Sequence, residues 1–112
     1  MLIKRRAVAQ ELANRLFAAE EAIDAAITAM ADLSGYMPIA RCEANISAVV
    51  GNSALESAAE TFSSLVRARR GIVDTHHHLA EARDQIGLRT VGLGAGIKDL
   101  RTALAVVEQN AA

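Results

Sequence analysis

Residues 12–33 read LANRLFAAEEAIDAAITAMADL, and the fold class rests on how that stretch is phased. Leu12, Leu16, Ala19, Ile23, Ala26, Met30 and Leu33 recur at spacings that alternate between four and three. That is the 3.5-residue period of a coiled-coil-like seam, the side of a helix that meets another helix. Ala9 extends the series backwards, and Val8 and Ile27 widen the apolar face. Glu11 and Arg15 form an i,i+4 pair with the acid on the N-terminal side, the favourable orientation. One helix is therefore expected over about 2–33. Alanine at positions 19 and 26 would let a partner axis approach to the near end of the ~8–10 Å packing range.

Beyond this stretch, Ser34-Gly35-Tyr36-Met37-Pro38 carries two stop signals. Gly35 suits a left-handed C-cap, and Pro38 suits the first turn of a new helix. A connection this short favours an antiparallel neighbour. The second helix is expected over about 38–86, with a kink at 51–53, where the apolar phase slips and Ser53 with Glu56 forms a capping-box pattern. From Leu55 the seam is regular through Ala58, Phe62, Leu65, Arg69, Ile72, His76, Leu79, Arg83 and Ile86. It keeps phase across Gly71, so the helix is expected to continue there despite a penalty of ~1 kcal/mol for glycine. Gly87, Gly92, Gly94 and Gly96 make 87–96 a linker. Ile97, Leu100, Leu104 and Val107 predict a short final helix at about 97–108, too short to stand alone.

The reading is thus all-α: a long antiparallel hairpin plus a short C-terminal helix, in a single domain of 112 residues. Alanine fills 24 positions and only three residues are aromatic, so any core is thin. Two long helices bury one stripe each, and Val8, Phe17, Ile27, Val49, Val66 and Val73 fall off the main seams. A homo-oligomer, with the dimer favoured, is expected to cover them by completing a bundle. Phe62, Arg69, Val73 and His76 are the candidate interface residues. Arg69, His76 and Arg83 occupy one heptad column, where Glu20, Glu21 or Asp24 of a partner helix in the dimer could oppose them.

Other chemistries find little support. A net charge of −1 and two short basic clusters, Lys4-Arg5-Arg6 and Arg67-Arg69-Arg70, do not make a general nucleic-acid binder. No apolar run is long enough for a membrane span or a signal peptide, and a cytoplasmic location is expected. His76-His77-His78 fans out around a helix. Only His78 shares a face with acids, Asp74 and Glu81, which makes a weak metal-ligand set of these three. Gly92-Leu93-Gly94-Ala95-Gly96 lacks the spacing of a phosphate loop. Cys42 falls in an apolar helical phase and is expected to be a buried structural thiol. No nucleophile–base–orienter set is present, and neither an enzyme nor a cofactor is expected. The functional expectation is a homo-oligomeric interaction or adaptor protein with a protein partner. The alternative is a bundle that binds a metal or small ligand near Asp74, His78 and Glu81.

Overall fold

A computed structural model describes residues 2–88 and Gly92. Two helices, α1 (Leu2–Glu43) and α2 (Asn52–Gln85), account for most of them, with no strand among the described residues. The all-helical class matches expectation. The helix expected at 97–108, and most of the linker expected at 87–96, lie outside the described residues.

The helix boundaries differ from those the sequence suggests. α1 does not end at Leu33. It runs ten residues further, through Gly35 and Pro38, to Glu43. The connection falls at 44–51, next to the place where only a kink was expected. Pro38 has no N–H to donate to the Ser34 carbonyl, a cost of about 3 kcal/mol within a helix. The shielded column offsets it, because Met30, Ser34, Met37 and Arg41 continue the four-three spacing across the proline without losing phase. A second polar group is stranded at the same point, since the Ser34 hydroxyl is buried with no hydrogen-bond partner.

The actual stop is one that backbone geometry enforces. Asn45 adopts φ 57°. Its N–H donates to the Cys42 carbonyl at 3.0 Å, and the Ile46 N–H donates to the Arg41 carbonyl at 3.0 Å. These two bonds form a Schellman motif, which satisfies carbonyls that a helix end would leave orphaned. α2 ends the same way. Gly87 has φ 77°, with its N–H on Asp84 at 3.1 Å and the Leu88 N–H on Arg83 at 3.0 Å. The residue after the left-handed position is apolar in both motifs, and Leu88 is only 1% exposed. α2 begins when the Leu55 N–H reaches the Gly51 carbonyl at 3.0 Å, so Gly51, not Ser53, is the N-cap.

The chain divides into two compact units, Glu20–Asp74 and Met1–Ala19 with Thr75–Ala112. The first contains the turn. Within it, Arg69 Nε donates to Asp24 Oδ1 at 2.8 Å across 45 residues, which pairs α1 and α2 antiparallel there. Its one buried apolar residue is Ala58, with Ile23, Ile27, Met30, Phe62, Leu65 and Ile72 half-buried. In the other unit Ala13, Leu16, Leu88 and His76 are buried. Burying a leucine such as Leu16 is worth about 1.5–3 kcal/mol.

Candidate functional site

The two helices present their apolar residues in different ways. In α2 the shielded positions Ala58, Phe62, Leu65, Arg69, Ile72, His76, Leu79 and Arg83 follow the seam read from the sequence, with Val73 and Ala80 half-buried beside it, whereas its expected ends, Leu55 and Ile86, are exposed. α2 is also continuous through Gly71, as expected. In α1 the shielded positions include the series Ala9, Ala13, Leu16, Glu20, Ile23, Ile27, Met30, Ser34, Met37 and Arg41, with Ala26 and Ala40 half-buried beside it. This is again an unbroken four-three series, but only half of it is the expected one. Ala9, Leu16, Ile23 and Met30 are common to both, and the expected Ala26 is half-buried too. The second column is Ala13-Glu20-Ile27-Ser34, where Leu12-Ala19-Ala26-Leu33 was expected. Leu12 is 48% exposed and Leu33 53% exposed. Ala19 is exposed and Ala26 half-buried.

α1 therefore carries a second apolar face. Leu12, Ala19, Ala26 and Leu33 form one column of it, and the adjacent column Val8, Arg15, Ala22, Ala29 and Tyr36 is apolar except for Arg15. Val8 and Tyr36 are exposed. The Tyr36 hydroxyl donates to Glu43 Oε2 at 3.0 Å, which leaves its ring along the face. Phe17 and Ile39 are exposed elsewhere on the helix. No single side of α1 stands out as apolar along its length, whereas in α2 the apolar residues gather on one side.

The charges along α1 are segregated. Over residues 2–19, Lys4, Arg5, Arg6 and Arg15 against Glu11 leave +3. Over residues 20–43, Glu20, Glu21, Asp24, Asp32 and Glu43 against Arg41 leave −4. Some of these charges are already engaged. Glu11 accepts from Arg15 at 2.9 Å, Asp24 accepts from Arg69, and Arg41 Nη1 reaches the Ile46 carbonyl at 3.4 Å. Lys4, Arg5, Arg6, Asp32 and Glu43 are all exposed.

The residues singled out from the sequence fall into three groups. Phe62 and Val73 are half-buried on or beside the α2 seam. Arg69 is half-buried and takes Asp24 of its own chain, one of the three acids proposed to oppose it. His76 is 5% exposed and its ring lies 6.5 Å from that of His77. Asp74, His78 and Glu81 sit on the exposed side. His78 Nδ1 and Glu81 Oε2 are 3.6 Å apart, both well exposed, and no group of three potential ligands comes together among the described residues. Cys42, expected to be buried, is exposed: it lies in a column that faces away from the α1 seam.

A pocket of about 330 Å³ lies beside the turn, lined by Met37, Pro38, Arg41, Ile46, Val50 and Leu55 among others. Its walls are mostly apolar, and Arg41 is its only charged residue. It is the space left beneath the Schellman turn, where Ile46 folds back over Arg41. No helix among the described residues is long and apolar enough to cross a membrane. Compared with protein-family models, curated proteins and solved structures, the chain matches none.

Proposed function

We propose that this chain is a non-enzymatic, cytoplasmic helical-bundle protein that acts by association, first with further copies of itself and then with a protein partner. One observation carries the reading. Among the described residues only Ala13, Leu16, Ala58 and Leu88 are buried apolar side chains, while Leu12, Phe17, Leu33, Ile39, Val49 and Val66 are among the large apolar ones left exposed. Scattered single exposures are ordinary, but a contiguous apolar face along a helix marks an interaction surface. Oligomeric bundles cover such faces with the same face of another subunit.

The test is the mass in solution, by light scattering coupled to size exclusion at two concentrations. The reading expects a multiple of the 11.8 kDa chain, falling on dilution. A concentration-independent 11.8 kDa species would remove self-association from it. Recovery of the chain alone when it is isolated gently from its host would remove the protein partner.

A further inference from the structure

We infer that the stripe Lys4, Arg5, Val8, Leu12, Arg15 and Ala19 of α1 is a docking surface for an acidic amphipathic helix of the protein partner. The inference rests on the partner proposed above and specifies its chemistry. The stripe lies wholly within one compact unit, Met1–Ala19 with Thr75–Ala112, and all six residues are exposed.

Spacing is the first support. Arg5, Val8, Leu12, Arg15 and Ala19 recur at three, four, three and four. That is the period of a helix–helix seam, and it runs beside the inner series Ala9, Ala13 and Leu16. A second helix can lie along it without touching what α1 already buries. Val8 and Leu12, 54% and 48% exposed, supply the apolar area. Ala19 lets the partner's axis come close.

Charge is the second. Residues 2–19 carry +3 in a chain whose net charge is −1. Arg5 and Arg15 stand in the seam, and Lys4 flanks it. Among the described residues no ion pair engages Lys4 or Arg5, and Arg15 holds Glu11 with its own side chain 78% exposed. A purely apolar helix laid over Arg5 and Arg15 would strip water from two guanidiniums and return no acceptor. Carboxylates on the partner supply those acceptors and make the two surfaces complementary.

The same positions argue against other occupants. Helices that lie on a bilayer keep their bases on the polar face, whereas Arg15 sits between Leu12 and Ala19 inside the stripe. The chain's own residues 93–112 carry Lys98, Asp99, Arg101 and Glu108, whose charges cancel.

The test uses the full chain and two synthetic helical peptides. Both carry leucine and alanine along one seam; one is flanked by glutamate and the other by lysine. Fluorescence anisotropy should show the glutamate peptide binding at least ~10-fold more tightly than the lysine peptide, with the difference shrinking as salt rises. Arg5→Glu with Arg15→Glu should reverse the preference, and circular dichroism checks that helicity is kept. Should that variant not fold, Arg5→Gln with Arg15→Gln should weaken the glutamate peptide alone.

Equal binding of the two peptides, or of neither, would overturn this inference and leave the protein partner standing. So would binding to phosphatidylserine vesicles in place of the glutamate peptide, which would give the stripe to a membrane surface. Recovery of the chain alone from its host would remove the partner itself.

Discussion

α1 and α2 pack against each other in the turn unit, yet only one of them announces its inner side. α2 concentrates its apolar residues on one side, so the pattern selects a single seam, and the shielded residues follow it from Ala58 to Arg83. α1 has no one apolar side that stands out along its length, so several seams fit the same letters. Leu16, Ile23 and Met30 belong to two of them. Apolarity alone favours completing the seam with Leu12, Ala19, Ala26 and Leu33, and the chain instead uses Ala13, Glu20, Ile27 and Ser34. The reason lies in what α2 offers. Within the turn unit its seam carries Arg69, whose guanidinium needs an acceptor when it is partly shielded. Asp24, next to the column actually used, answers Arg69 at 2.8 Å. Leu12 and Leu33, the large residues of the more apolar column, are left exposed.

The sharpest way to break this contrast is to truncate one leucine from each α1 column. Leu16→Ala should cost about 2–5 kcal/mol in denaturant unfolding. Leu12→Ala, measured under dilute conditions, should stay within about 0.5 kcal/mol, as surface changes do. Equal losses would return Leu12 to the seam. The next largest effect is a gain. Pro38→Ala restores a helix bond and should raise stability by up to about 3 kcal/mol, read as a higher thermal midpoint. Ser34→Ala removes the stranded hydroxyl and should add about 1–3 kcal/mol by the same readout. A loss from Pro38→Ala would mean that the proline is needed where it stands.

The two helix ends provide a finer comparison, because the same motif closes both with different residues. Gly87→Ala should cost about 1–2 kcal/mol, the penalty for a Cβ in the left-handed region. Asn45→Ala should cost less, because asparagine already carries a side chain there. The smallest effect belongs to the Asp24–Arg69 pair, about half exposed on each side. A double-mutant cycle with alanine at both positions should give a coupling of about 0–1 kcal/mol.

How far the sequence could be read follows from the same physics. Helical class, two long antiparallel elements and the α2 seam are written in periodicity. The turn was not legible at its true place. Gly35 and Pro38 are strong local punctuation, whereas the residue that ends α1 is Asn45, whose left-handed preference is weaker than that of glycine. The signal that could have found it was the Met30, Ser34, Met37, Arg41 series, which runs past Pro38 in phase. Exposure of Cys42 follows from the same correction, since rotating the seam by one column turns its side chain outward. The second face of α1 was visible in the sequence as Leu12 to Leu33, but its role was inverted. Its spacing predicts a helix–helix contact, yet Leu12, Ala19 and Leu33 are exposed.

One variant tests the central claim that α1 has an inner seam that leaves Leu12 and Leu33 outside. Leu12→Lys with Leu33→Lys places two charges in the disputed column. The account predicts full helicity by circular dichroism. Loss of the helical signal would put the column in the chain's own core and would contradict the account.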